Sequence, residues 1–201
     1  MTPVLIIANI LSLIGNALFT LSSILRSKKK ILLCQSSNYV FAIISESMTG
    51  AFSGMVQEAS SLLRNIILLF VKSSNKIIKL IITLITVTIA VTVGVLINIF
   101  VSDNVWYGYL PISGTIVYST AVILAFMLKI NEIKSEIIIK IGLFINSIIW
   151  MLYGYFVMLY PIMIFNIITM ILCIISFVRI IIITKKTKKS EEIEINKEWE
   201  A

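Results

Sequence analysis

Seven apolar runs of roughly bilayer-spanning length take up most of this chain, and they leave few folds open to it. They are Pro3 to Leu25, Leu32 to Phe52, Met55 to Val71, Leu80 to Phe100, Tyr107 to Leu128, Ile141 to Val157 and Pro161 to Thr184. A helix needs about 20 residues to cross the hydrocarbon layer. Of the 201 residues, 59% are apolar and only 13% are charged, whereas a soluble domain carries about a quarter charged. So much apolar surface cannot be hidden in one small core, and the solvent must be lipid. The fourth run is rich in Ile, Val and Thr, which in water favour strands. A lone strand in lipid leaves its backbone unpaired, so helix is expected throughout.

The basic residues set the topology. Arg26 and Lys28, Lys29 and Lys30 follow the first run, and Lys72, Lys76 and Lys79 follow the third. Lys129, Lys134 and Lys140 follow the fifth, and Lys185, Lys186, Lys188 and Lys189 the seventh. The loops after the second, fourth and sixth runs have no lysine or arginine. Basic loops stay in the cytoplasm. The alternation therefore predicts seven helices in a cell membrane, inner or plasma, with the N-terminus outside and the C-terminus in the cytoplasm. The first run lacks a basic front end, which argues against a cleaved signal. The net charge of +7 is accounted for by this retention signal, so no nucleic-acid partner is implied. The charges from Lys129 to Lys140 read as a loop, Ser53-Gly54 as a turn, and Ser190 to Ala201 as an acidic tail, disordered or loosely helical, with no assigned role.

Two local matches suggest an internal repeat. Leu11 to Thr20, LSLIGNALFT, resembles Leu110 to Ser119, LPISGTIVYS. Glu46 to Phe52, ESMTGAF, resembles Trp150 to Phe156, WMLYGYF. The matches pair Gly15 with Gly114 and Gly50 with Gly154, in the same order. The expected fold is an all-α membrane protein of seven transmembrane helices in a three-one-three parallel tandem repeat. Residues 1–72 form the first unit, 73–104 a linker helix, 105–184 the second unit and 185–201 a charged cytoplasmic tail. Parallel repeats of this kind are related by an axis along the membrane normal.

The run LPISGTIVYSTAVILAF, Leu110 to Phe126, resembles the fifth-helix signature of the YgjV-type bacterial inner-membrane proteins. Gly50 to Asn65, GAFSGMVQEASSLLRN, is similar to that family too, Arg64 included. A weaker similarity reaches to Arg179. The resemblance implies a fold like that of the SWEET and PQ-loop transporters, with a pocket between the repeats. This chain departs from those carriers in having no Pro-Gln pair and only three prolines.

Ionisable groups inside a membrane are costly and mark functional sites by default. Glu46 in the second helix and Arg64 in the third differ in depth by roughly 4–5 Å at about 1.5 Å per residue, so they are expected to come within side-chain reach. They form either a polar cavity with a proton-carrying Glu46 or an ion pair that locks the hairpin. Glu58 is expected at the outer surface in water, and Gly50 and Gly54 at a tight turn with close helix contact. Asn146, Trp150 and Tyr153 share one helix face at spacings of four and three. Trp150 matches Glu46 in the repeat, and Asn166 matches Ser61. The candidate solute site is therefore Glu46, Arg64, Trp150, Asn166, Asn146 and Ser61. Tyr107, Tyr109, Tyr155 and Tyr160 suit an interfacial aromatic belt.

These features favour a transporter or facilitator of a small polar solute. The alternative is a receptor or assembly factor of the same fold. An enzyme is disfavoured: the chain has no histidine, and Cys34 and Cys173 read as small membrane residues, so no metal or other cofactor is expected. A retinal Schiff base is excluded too, since Pro161 to Thr184 contains no lysine.

Overall fold

The computed structural model of the protein describes residues 3–70, 76–102, 104–127, 131–156 and 160–199. Among these residues there are seven α-helices and no strand. They are α1 (Pro3–Ser22), α2 (Lys28–Thr49), α3 (Phe52–Phe70), α4 (Lys76–Phe100), α5 (Leu110–Met127), α6 (Glu132–Phe156) and α7 (Tyr160–Trp199). A single 3₁₀ turn, Trp106–Tyr109, leads into α5. Five spans are long and apolar enough to cross a membrane: α1, Leu80–Phe100 in α4, Trp106–Phe126, α6, and Pro161–Ile182 in α7. The chain is a multi-pass helical protein of membrane type.

The two remaining helices, α2 and α3, owe their lower hydropathy to side chains turned inward. On α3 the stripe Phe52, Ala59, Leu63, Ile66 and Phe70 is exposed, and every member is apolar. Its opposite side buries Gln57, Glu58, Ser60, Ser61, Arg64 and Asn65. In water such a helix would be inside out. In lipid it is the stable arrangement, because polar groups must find partners within the bundle. On α2, Leu33, Val40 and Ile44 are exposed while Gln35, Asn38, Ser45 and Glu46 are buried.

Three boundaries differ from those expected. The α2–α3 turn lies at Gly50–Ala51, with Ser53 and Gly54 already inside α3. Gly50 takes φ +75°, and the amides of Gly50 and Ala51 both return to the Glu46 carbonyl; a left-handed glycine is the usual way to end a helix. The charged stretch before Ile141 is helix from Glu132 onward. Asn131 nucleates it, its side-chain oxygen accepting from the Lys134 amide at 2.9 Å as an N-cap. Finally, α7 runs through Trp199, well past Thr184; no glycine or proline stops it there.

Successive helices pack antiparallel, and side-chain contacts fix their levels. Ser45 donates to the Ala8 carbonyl near one end of α1 and α2, and Gln35 to Ser22 near the other. The helices form a closed ring in which α1 packs on α2, α2 on α3, α3 on α5, α5 on α6, α6 on α7 and α7 on α1. Outside the ring, α4 rests on α3 and α5. It is fastened by Gln57, whose amide donates to the Ala90 carbonyl at 3.1 Å and lies directly over Gly94.

The bundle has two unlike ends. The turn end carries the α2–α3 turn and the 3₁₀ segment. The basic end carries Arg26 and Lys28 to Lys30, and its half of the bundle is filled by Phe19, Ile31, Leu32, Leu68, Val122, Ala125, Ile139, Leu143 and Cys173.

Candidate functional site

A cavity lies in the turn-end half of the ring. Every ring helix lines it and α4 does not. From α1 come Asn9, Ser12 and Asn16, at the i, i+3, i+7 spacing of one helix face. From α2 come Asn38, Tyr39, Ser45 and Glu46, and from α3 Glu58 and Ser61. Thr115 and Tyr118 of α5, Asn146 and Trp150 of α6, and Ile162 and Asn166 of α7 close it. Its volume is about 40 Å³, room for a few water molecules. A second recess of about 270 Å³ lies at the turn end, between Gly50 to Ser53, Asn98, Val105, Tyr107 and Tyr153. The two adjoin at Thr49, which lines both.

Glycines bring the helices close at this level. A Cβ on Gly15 would meet Asn38 Oδ1 at 2.8 Å, and one on Gly114 would meet Asn146 Oδ1 at 2.8 Å and Trp150 Nε1 at 3.2 Å. A Cβ on Gly54 would lie 2.9–3.0 Å from the Glu46 carboxylate. Each glycine thus makes room for a polar side chain of the neighbouring helix.

The polar groups divide sharply into paired and unpaired. Arg64, fully buried, sits beneath the cavity and does not line it. Its guanidinium donates to Ser119 Oγ at 2.7 Å, to Asn65 Oδ1 at 2.9 and 3.1 Å and to the Tyr39 hydroxyl at 3.4 Å. It also lies 5.1 Å from the centre of the Tyr118 ring, a cation–π distance. Tyr118 in turn donates to Gln35 at 2.7 Å, and Gln35 to Ser22 at 3.1 Å. By contrast Asn38 Oδ1, Glu46 Oε2 and Asn166 Oδ1 are buried without a hydrogen-bond partner. Orphaned buried polar atoms cost about 1–3 kcal/mol each, and water or a ligand normally meets them.

Of the residues expected from the sequence, Glu46, Trp150, Asn166, Asn146 and Ser61 line this one cavity, while Arg64 does not. Two corrections follow. Glu46 and Arg64 form no ion pair; Arg64 is bound to Asn65, Ser119 and Tyr39, and the charge nearest in effect to both is Glu58. Glu58 is not at the surface but buried on the inward side of α3. Sequence reasoning missed it because it was placed by distance from the turn rather than by helix face. At spacings of three and seven, Glu58, Ser61 and Asn65 share a face. The same spacing marks Asn9, Ser12 and Asn16 on α1, also overlooked.

Of the aromatics expected at the interface, Tyr155 is exposed, whereas Tyr107 stacks on Phe156 with ring centres 5.9 Å apart. Tyr109 donates to Asn104 at 2.6 Å; the Tyr160 side chain lies outside the described residues. Trp150, in the cavity lining, is edge-on to Tyr153, in the lining of the turn-end recess, with 5.6 Å between centres.

Among the described residues no three side chains of the His, Cys, Asp and Glu kind gather to hold a metal. The site offers hydrogen-bond acceptors, two carboxyl groups and an aromatic wall. No family model, curated protein or solved structure matches the chain.

Proposed function

We propose that the protein is a carrier or facilitator for a small polar solute, crossing a cell membrane seven times with its N-terminus outside and its C-terminus in the cytoplasm. The observation that carries this reading is the six-helix cavity with three unpartnered buried oxygens, Asn38 Oδ1, Glu46 Oε2 and Asn166 Oδ1. Groups of that kind inside a membrane are costly, and a polar ligand removes the cost. On this reading α2 and α3 are spans whose polar sides face the solute path. The turn-end recess is its outer mouth and the apolar half its closed inner gate.

The three-one-three plan, and with it a kinship to the YgjV-type proteins and a SWEET-like fold, belongs to the same proposal. Two observations support the plan. The ring order pairs α1–α2–α3 with α5–α6–α7, leaving α4 outside. Gly15 against Asn38 and Gly114 against Asn146 are like glycine–asparagine contacts between the first two helices of each half, one turn apart in the register that pairs Glu46 with Trp150.

The packed basic half favours one second reading: a receptor that binds a solute from the turn end and never opens inward. Proteoliposomes separate the two. A carrier exchanges labelled solute with a preloaded unlabelled pool, whereas a receptor binds it in detergent and moves none. Failure of every sugar, vitamin and amino-acid-like solute to bind or exchange would remove both readings.

A further inference from the structure

Resting on the reading of the cavity as a solute site, we propose that it selects a compact organic ammonium ion, whose N–H donors meet Glu46, Asn38 and Asn166 and whose apolar body lies against Trp150. The chemistry of the lining is one-sided. Asn166 Nδ2 is committed to the Ile162 carbonyl at 2.8 Å, so its oxygen is the atom left free. Asn16 and Asn9 likewise tie their amide nitrogens to the carbonyls of Ser12 and Leu5, at 2.8 and 2.9 Å. In all three the amide nitrogen is anchored to the helix backbone, which leaves the oxygen on the other arm of the amide. Ser45, the hydroxyl beside Glu46, spends its proton on the Ala8 carbonyl at 2.8 Å. Asn38 Oδ1, Glu46 Oε2 and Asn166 Oδ1 thus stand as three buried acceptors without partners, the complement of an ammonium group.

The charge balance has the same sign. Two carboxyl groups, Glu46 and Glu58, stand against one guanidinium, Arg64, so with both ionised the cluster carries one net negative charge. Arg64 acts electrostatically on Glu58 and is otherwise consumed by Asn65, Ser119 and Tyr39. Among the described residues Glu46 forms no ion pair. A monocation completes the neutralisation, and Trp150 at 8% exposure supplies the aromatic face that cations favour most. An anionic solute would meet two carboxylates with no free cation facing it.

A proton competes with such a ligand. The titratable or charged groups around Glu46 are Glu58 and Arg64 on α3, Tyr39 on α2, Tyr118 on α5 and Tyr153 on α6. The cavity faces of α1 and α7 carry only amides, hydroxyls and apolar groups. Protonating the carboxylates removes the charge that attracts the ammonium, so its affinity falls as pH falls.

The test uses the full chain in detergent or nanodiscs. Titration calorimetry compares methylammonium, ethylammonium and propylammonium with methanol, ethanol and propanol. At least one ammonium is expected to bind about tenfold or more tighter than its alcohol, a difference of about 1.4 kcal/mol. That preference should shrink as pH is lowered through the range where buried carboxylates titrate, and it should vanish in Glu46→Gln. Equal binding of every ammonium and its alcohol, or a preference that survives in folded Glu46→Gln, overturns the proposal. If Glu46→Gln does not fold, the wild-type comparison and its pH dependence decide. Exchange of a neutral sugar without ammonium binding would sink this inference while leaving the carrier reading intact; ammonium binding without exchange would do the reverse.

Discussion

The two halves of the bundle solve one problem, polar groups away from water, in opposite ways. In the basic half most polar side chains meet one another or the backbone: Ser22 receives from Gln35, Gln35 from Tyr118, and Ser176 donates to the Ser23 carbonyl, while Arg179 Nε is left without a partner. Lys140, fully buried, meets Glu136 at 2.7 Å. Apolar side chains fill the rest. In the turn half the cavity takes the place of that core, and Asn38, Glu46 and Asn166 keep oxygens without partners. The basic half is packed like an ordinary core, while the turn half gathers unpartnered acceptors around a cavity. Arg64 sits on the border, its partners on α2, α3 and α5.

The contrast is broken most severely at Arg64. Replacing it by leucine removes the donors to Asn65, Ser119 and Tyr39 at once. With about 1–3 kcal/mol for each orphaned group, a loss of roughly 3 kcal/mol or more is expected. Thermal unfolding in detergent measures it. An unchanged midpoint would mean that the network contributes nothing to holding the halves together.

Solvent access gives the next largest effect. In a chain with Cys34 and Cys173 replaced by alanine, Ser12→Cys faces the cavity and Val122→Cys the apolar half, where Val122 is fully buried. A small membrane-impermeant thiol reagent added outside intact cells should modify the first and leave the second untouched. Labelling at Val122, or silence at Ser12, would show that the halves are not wet and dry as described. The same assay on Lys29→Cys and Asn131→Cys tests the orientation, since both should be shielded from outside.

Much of this was legible in the sequence and some could not be. The helices were legible because lipid forbids the alternatives, and the polar spacing on α6 brought Asn146 and Trp150 to one face. The partner of Arg64 was not legible: Ser119 and Tyr39 are ordinary membrane residues whose role depends on which helices adjoin, and the ring order is a tertiary fact. The charges from Glu132 to Lys140 misled because charge was equated with loop, yet Glu136 and Lys140 neutralise each other one turn apart on α6.

The finest test compares two glycines that occupy like positions. A Cβ on Gly15 would meet Asn38 Oδ1 at 2.8 Å, the Phe41 Cβ at 3.0 Å and the Asn38 carbonyl oxygen at 3.3 Å. Two of those three atoms are backbone or next to it and cannot swing away. Gly15→Ala should therefore force α1 and α2 apart and cost roughly 1–3 kcal/mol, the usual range for overpacking. A Cβ on Gly114 would meet only Asn146 Oδ1 at 2.8 Å and the Trp150 ring, whose nearest atoms are at 3.2 and 3.4 Å. These are outer atoms of side chains that line the cavity, and they can yield into its open space. Gly114→Ala should cost less, below about 1 kcal/mol, while shifting the amide and the indole that wall the site. The expected pattern for Gly15→Ala is a clear fall in unfolding midpoint together with weakened binding, since the atom met first is Asn38 Oδ1 of the cavity lining. For Gly114→Ala it is a near-normal midpoint with weakened binding. If both lower the midpoint equally and binding follows stability in each, the cavity wall is no softer than the packed seam beside it, and the division into a packed half and a cavity half fails at this level.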